Sequence, residues 1–164
     1  MRQFVDKGTG EVFYEEQILR RPDEIVKVFR PVGRSSKFVK IKASQKAKRR
    51  FRKLSLAEAG FFLKIAPYVS EGTNLLEGDN ERGQKGKPLS VKDLARIAAC
   101  SYPQARKIVK ALIEQRVLRR TEVEGRTALA INPLYSLNGK AAETSLLQLF
   151  REEITEAGED PNLD

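Results

Sequence analysis

The sequence contains no histidine and only one cysteine, Cys100. The absence of histidine removes the side chain that most often transfers protons at neutral pH and most often binds metal ions. A zinc site made of thiolates and imidazoles cannot be built within this chain, and an internal disulfide is excluded. No carboxylate pair is conspicuous either. We therefore expect no catalytic residues, no metal and no cofactor, and we do not expect an enzyme.

Long apolar segments are also missing. No run approaches the roughly 20 apolar residues that are needed to span a bilayer. The first ten residues, MRQFVDKGTG, lack the hydrophobic core of a signal peptide. A single cysteine fits a reducing compartment. We therefore expect a cytoplasmic protein with no membrane partner.

Positive charge is abundant. The chain has 31 Lys and Arg against 22 Asp and Glu, which gives a formal net charge of +9. An excess of this size favours a polyanionic partner, and nucleic acid is the commonest one. The alternative is a basic protein whose charge serves only its solubility.

The first third of the chain indicates β structure. Residues 2–19 form two weakly alternating runs around a loop that contains Gly8 and Gly10, which predicts a hairpin. Pro22 and Pro31 then indicate a short connection. We assign residues 1–36 to this hairpin or arm, and the alternative is a flexible arm throughout.

Residues 37–53 carry the densest charge in the sequence, with nine Lys or Arg and no acidic residue. Such a run is usually a solvated face or a disordered arm, and either form could reach DNA phosphates. Phe38, Ile41 and Phe51 interleave with the charges, so part of the run could pack on the domain. We predict a basic arm over 37–53 that contacts phosphates through Lys46, Lys48, Arg49, Arg50, Arg52 and Lys53.

Two helix starts follow. Ser55 and Glu58 form a Ser-x-x-Glu capping box, after which apolar residues recur at three- and four-residue steps. Pro67 predicts a kink or an end of this first helix. After a loop over 70–88 that is rich in Gly, Asn and charge, Ser90 is placed to cap a second helix.

A third helix is expected after a short turn, with Ser101 as its cap and Pro103 in its first turn. Two helices joined in this way form a helix-turn-helix, whose second helix enters the major groove. The alternative is an ordinary surface helix with long basic side chains. Lys110 suits a phosphate. We predict base readout by Ser101, Tyr102, Gln104, Arg106 and Lys107.

Residues 116–123 and 126–131 are predicted to be strands around a tight turn at Glu124–Gly125. A hairpin directly after the recognition helix is a wing, and Arg119, Arg120 and Arg126 give it charge for phosphate contact. The predicted fold class is mainly α with small β (α+β). It is a winged helix-turn-helix over 54–140, preceded by the hairpin and basic arm and followed by a C-terminal helix.

The stretch LSVKDLARIAACSYPQARKIVKALIEQRVLRRTEVEGRTALAINPLY resembles the winged-helix domains of MarR-like regulators. The chain is also similar to the RepL-type replication proteins of Firmicute plasmids and phages. That similarity rests on FVKI at 38–41, the helix LSLAEAGFFLKIAPYV and the segment INPLYSLNGK. The resemblance covers about residues 38–140 and implies a winged-helix fold with duplex DNA as ligand. The basic run at 42–53 departs from both patterns.

Residues 141–157 are predicted to form a last helix with an apolar stripe that includes Leu146, Phe150 and Ile154. The stripe could pack on the first helix, or it could join two chains in a homodimer that binds two DNA half-sites. Acidic residues then accumulate, and we predict a disordered acidic tail over 158–164.

The leading hypothesis is therefore a nucleoid-associated, sequence-specific protein that binds double-stranded DNA. Transcription regulation, bacterial or encoded by a mobile element, is the first assignment. The alternative is a plasmid or phage replication initiator that binds origin repeats. RNA binding by the basic run and a protein-interaction module are further alternatives.

Overall fold

The computed structural model describes residues 2–5, 12–21, 24–31 and 39–162 of the chain. It forms two compact units, residues 1–37 and 38–164, and the fold class is α+β. The helices are α1 (Gln45–Phe51), α2 (Leu56–Ile65), α3 (Val91–Ala98), α4 (Tyr102–Glu114), α5 (Thr144–Leu149) and α6 (Arg151–Ala157). The strands are β1 (Arg2–Val5), β2 (Val12–Arg21), β3 (Glu24–Pro31), β4 (Val39–Ile41), β5 (Leu118–Val123), β6 (Arg126–Ile131) and β7 (Ser136–Asn138).

The first unit contains an antiparallel sheet with the strand order β1-β2-β3. The pairing of β1 with β2 confirms the predicted hairpin, whose loop at 6–11 lies outside the described residues. The prediction of a simple connection from Pro22 to Pro31 is wrong, because β3 pairs with β2 there. A proline that ends an edge strand is tolerated, since its missing N–H removes no hydrogen bond from the sheet interior.

The second unit is built around α2, α3 and α4. Their buried apolar side chains form one cluster, in which Phe62, Ile65, Leu94 and Leu112 are fully buried. Removing such side chains from water is the main stabilising contribution, about 1.5–3 kcal/mol for each. As predicted, α2 ends just before Pro67, and a 3₁₀ turn over Ala66–Tyr68 follows it.

The predicted capping box at the start of α2 is formed, and the predicted cap Ser90 forms a second one at the start of α3. The Ser55 N–H donates to Glu58 Oε2 over 2.7 Å, and the Glu58 N–H donates to Ser55 Oγ over 3.3 Å. The same reciprocal bonds join Ser90 and Asp93. They satisfy backbone N–H groups that have no partner inside a helix. The beginnings of α2 and α3 are therefore fixed by local sequence.

Strands β5 and β6 pair antiparallel across a two-residue turn at Glu124 and Gly125, from Leu118↔Ile131 to Val123↔Arg126. Both turn residues have positive φ, 49° and 72°, as this kind of tight hairpin requires. The predicted hairpin over 116–131 is thus confirmed. The segment around Leu75 and Leu76, which precedes α3, extends this sheet, because the Leu76 N–H donates to Leu129 O over 2.8 Å.

The Asn74 side chain joins that segment to the hairpin through hydrogen bonds. Its side chain is fully buried, and its Nδ2 donates to Ile131 O over 3.1 Å and to Ser136 O over 2.7 Å. Its Oδ1 accepts from the Asn138 N–H over 3.1 Å. The Asn74 side chain therefore bridges the root of β6 and strand β7, which itself pairs with β4.

The basic run differs from the predicted arm. Residues 39–41 form strand β4, and Ser44 caps helix α1 by accepting from the Ala47 N–H. Ala47 is buried, and the Phe51 ring makes edge contacts with Phe62 and Tyr135. Ala47 and Phe51 thus anchor the charged run on the core, whereas Ile41 is exposed.

The C-terminal region also differs from the prediction. Instead of one helix, α5 and α6 meet at Phe150, which packs with Leu146 against Ala130 and Leu137 of β6 and β7. Core packing therefore uses the apolar stripe that could have joined two chains. Beyond α6, residues 158–162 of the predicted acidic tail pack against the domain, because Pro161 is buried and Asn162 Oδ1 accepts from the Ala142 N–H over 2.7 Å. Residues 163 and 164 lie outside the described residues.

Candidate nucleic-acid interface

Helices α3 and α4 are joined by a turn at residues 99–101. Ala99 takes the left-handed conformation with φ 54°, and its N–H donates to the carbonyls at the end of α3. Ser101 then caps α4 by accepting from the Gln104 N–H over 3.4 Å. The Lys64 ammonium donates to Ala98 O over 2.6 Å, which ties the end of α3 to α2. The direction of α4 is therefore fixed at its first residue.

One side of α4 is buried and the other is open. Ala105, Val109 and Leu112 are at most 1% exposed and belong to the main core. The opposite side, which we name the α4 surface, consists of the exposed residues Ser101, Tyr102, Gln104, Arg106, Lys107 and Lys110. All five side chains predicted for base readout, together with Lys110, are thus exposed on α4 or at its N-cap.

Three long polar side chains in the first half of the α4 surface have no partner among the described residues. Among residues 39–162, none donates to or pairs with the side chains of Gln104, Arg106 and Lys107. Lys110 lies 3.8 Å from Glu114, but both side chains are largely exposed. An exposed pair of this kind contributes about 0–1 kcal/mol. The donors of this surface are therefore available to a ligand.

The charge at the start of α4 is unlike that of its neighbours. Helices α2 and α3 carry Glu58 and Asp93 in their first turns, and α4 carries no acidic residue there. Hydrogen bonds from the Ser55 N–H and the Ser90 hydroxyl lower the pKa of these two carboxyls, so both are firmly ionised. The partial positive charge of a helix N-terminus favours acidic groups. The cations Arg106 and Lys107 thus add to a positive end that nothing in α4 neutralises.

The β5–β6 hairpin projects from the core. Its root is buried at Leu118 and over 128–131, whereas its tip over 124–127 is exposed. Arg120 and Arg126 are exposed, and no side chain among the described residues pairs with either. These two arginines remain candidates for contact with phosphates.

Arg119, in contrast, has partners within the domain. Its guanidinium donates to Leu149 O and to Glu153 Oε1, each over 2.6 Å, and its charged carbon lies 5.6 Å from the Phe150 ring centroid. Glu153 is only 6% exposed, and a buried carboxylate requires such a partner. Arg119 therefore holds α6 on the hairpin, and we do not include it in the interface proposed below.

Three cations in the loop before α3 were missed by the sequence reasoning, and one of them lies near the hairpin tip. Arg82, Lys85 and Lys87 lie in the loop between residue 78 and α3, and Lys87 is 3.5 Å from Glu124 at the hairpin tip. The Asp79 carboxylate holds this loop by accepting from the Glu81 and Arg82 N–H groups. The basic sequence over 82–87 indicates a candidate phosphate contact, but only the fold shows that Lys87 lies near the hairpin tip.

Helix α1 lies near the other end of α4. A groove of about 380 Å³ is lined by Lys46, Arg49, Arg50 and Lys53 on one side and by Gln115 and Arg116, just after α4, on another. Since α4 has 13 residues, it is about 20 Å long, so these cations are remote from the first turn of α4. Lys48, Arg49, Arg52 and Lys53 have no partner among the described residues.

The remaining two α1 cations are engaged. Arg50 pairs with Glu159, and Lys46 Nζ donates to Ala157 O over 3.0 Å. The Arg50 guanidinium also lies 6.0 Å from the ring centroid of Tyr135, whose burial raises the pKa of its phenol. The predicted phosphate contacts of the basic run are therefore a mixture of free and paired cations.

Other kinds of site find no support in the described part of the chain. Residues 39–162 contain no cluster of three or more acidic or cysteine side chains that could hold a metal ion. Cys100 is a partly buried free thiol packed against the core. None of the described helices is both long enough and apolar enough to cross a bilayer.

Comparison with protein-family models, curated proteins and solved structures gives no match. The role of the α4 surface must therefore be inferred from its own chemistry.

Proposed function

We propose that this chain is a sequence-specific protein that binds double-stranded DNA through a winged helix-turn-helix. In this proposal α4 enters the major groove, and the β5–β6 hairpin is the wing. The observation that carries the proposal is that the side chains of Gln104, Arg106 and Lys107 are exposed and have no partner among the described residues. They lie on a helix whose direction is fixed by a short turn after α3.

The side-chain chemistry of the α4 surface suits base edges. An arginine guanidinium can donate two hydrogen bonds to guanine O6 and N7, and a glutamine amide matches adenine N6 and N7. Arg106 and Gln104 offer these groups near the beginning of the helix, where a recognition helix meets base edges. Tyr102 is 50% exposed at the same end and could contact a thymine methyl group.

Cations around α4 suit the DNA backbone. Lys110 lies further along the helix, Arg120 and Arg126 lie on the wing, and Lys87 lies beside the wing tip. Phosphate contacts of this kind fix orientation and supply affinity without reading sequence. Neutralising about six phosphates would give a slope of about −5 for log affinity against log salt concentration.

Transcription regulation is the use that we propose first, and replication initiation is the alternative. Two of the three segments on which the resemblance to RepL-type proteins rests contain the strands β4 and β7, which pair with each other. This pairing does not distinguish the two uses. Footprinting on the native replicon distinguishes them, because an initiator would protect origin repeats.

Selection of binding sites from a random duplex library tests the proposal. We expect recovery of a defined motif, and a palindromic motif would additionally indicate a two-fold dimer. Titration of matched RNA and DNA duplexes is the second arm. Recovery of no motif, or a preference for the RNA duplex, would overturn the proposal.

A further inference from the structure

The acidic segment after α6 lies against the cations of the groove between α1 and α6, which we name the α1–α6 groove. Arg50 Nη2 and Glu159 Oε1 are 2.7 Å apart, and Lys46 Nζ lies 4.0 Å from the same oxygen. On the far side of the groove, Arg116 Nη1 and Glu156 Oε2 are 2.6 Å apart. Two carboxylates thus neutralise cations where a phosphate could bind.

The backbone conformation at Gly158 determines the position of Glu159. Gly158 ends α6 in the left-handed conformation with φ 58°, and its N–H donates to the carbonyls of Ile154 and Thr155. This reversal turns the following residue back onto α1. Asn162, which accepts from the Ala142 N–H, holds the segment independently of the ion pairs. Removal of the Glu159 charge should therefore leave the segment in place.

The groove remains cationic in spite of these carboxylates. Lys46, Arg49, Arg50, Lys53 and Arg116 line it together with only three acidic side chains, and one of these, Glu153, is committed to Arg119. A surface with this excess attracts a polyanion, and the carboxylates reduce that attraction without abolishing it.

We propose that the α1–α6 groove is a second phosphate-binding surface for duplex DNA, and that Glu156 and Glu159 compete with DNA for it. This inference rests on the DNA-binding function proposed above. DNA that extends past the end of α4 must displace the two carboxylates in order to reach Arg50 and Arg116. The native chain therefore binds long duplexes more weakly than its cation content allows.

The double variant E156Q/E159Q tests this competition. It should bind a long duplex about four- to 25-fold more tightly, because each of the two displaced ion pairs opposes binding by about a factor of two to five. The slope of log affinity against log salt should steepen by about 0.9 for each freed cation that reaches a phosphate. The matched control E71Q/E143Q removes two exposed charges that line no part of the groove. It should change affinity less than twofold.

A variant that lacks two cations of the groove tests whether the gain in affinity arises there. In K46Q/R50Q, the further change E159Q should no longer tighten binding. Thermal melting by circular dichroism checks folding, and E156Q alone, which breaks only an exposed ion pair, should leave the fold intact. Equal gains for E156Q/E159Q and E71Q/E143Q, or a gain from E159Q that persists in K46Q/R50Q, would overturn the inference. Native protein that binds DNA with affinity unchanged by E156Q/E159Q would overturn this inference alone, whereas native protein that binds no DNA would overturn the proposed function as well.

Discussion

Replacement of Asn74 tests how the hairpin is held. In N74A, three buried hydrogen bonds disappear, those to Ile131 O, Ser136 O and the Asn138 N–H. A net contribution of about 0.5–1.5 kcal/mol for each bond gives about 2–4 kcal/mol in total. Asn74 also has φ 51°, and alanine in the left-handed region costs about 1 kcal/mol more. We therefore expect N74A to lower the free energy of unfolding by about 3–5 kcal/mol.

Urea denaturation followed by far-UV circular dichroism measures this change. The chain offers a matched control in Asn80, which also has positive φ but lies exposed and makes a single side-chain bond, to the Lys85 N–H. N80A should lose only about 1 kcal/mol, mainly from its φ angle. N74G should be about 1 kcal/mol more stable than N74A, because glycine removes the φ cost. If N74A loses no more stability than N80A, the amide of Asn74 does not hold the hairpin.

Two further predictions concern the ion pairs and caps. R119A should lower the free energy of unfolding by about 2–3 kcal/mol. This is below the 3–5 kcal/mol of a fully buried pair, because Arg119 is partly exposed while Glu153 is not. The control E152Q removes an exposed partner at 3.7 Å and should lower the free energy of unfolding by less than about 0.5 kcal/mol. S90A should cost about 1 kcal/mol at neutral pH. Because Ser90 lowers the pKa of Asp93, this contribution is complete above the ordinary aspartate value of about 3.9. Only the part that comes from the Ser90 hydroxyl donating to the Asp93 carboxylate is lost as pH falls through the folded-state value, because the bond from the Asp93 N–H to Ser90 Oγ does not titrate. The difference in stability between wild type and S90A should therefore shrink in acid without vanishing.

Local signals in the sequence predicted much of the second unit. Ser55, Ser90 and Ser101 mark three helix starts, because a hydroxyl that accepts from a backbone N–H is a local interaction. Pro67 marks the end of α2, and the pair Glu124–Gly125 marks a tight turn. These features depend on a few adjacent residues, so no knowledge of the fold is needed to find them.

Long-range partners were not predictable in this way. Arg119 and Arg50 look like surface cations in sequence, and their carboxylate partners lie 34 and 109 residues further along the chain. The role of Asn74 depends on carbonyls 57 and 62 residues away. The helix within the charged run over 37–53 was not predicted, because the few apolar residues of this run are buried only by contact with the rest of the core. The candidate phosphate contacts are consequently the least predictable part of the site.

The central claim is that Arg106 and Lys107 read DNA sequence. Its most direct test is a fluorescence-anisotropy titration of a selected duplex and a scrambled duplex with R106A/K107A. The matched control K140A/R151A removes two exposed cations from outside the α4 surface. R106A/K107A should weaken binding to the selected duplex roughly tenfold to hundredfold and reduce its preference over the scrambled one, while the control keeps that preference. If R106A/K107A retains the full preference, α4 does not read the sequence.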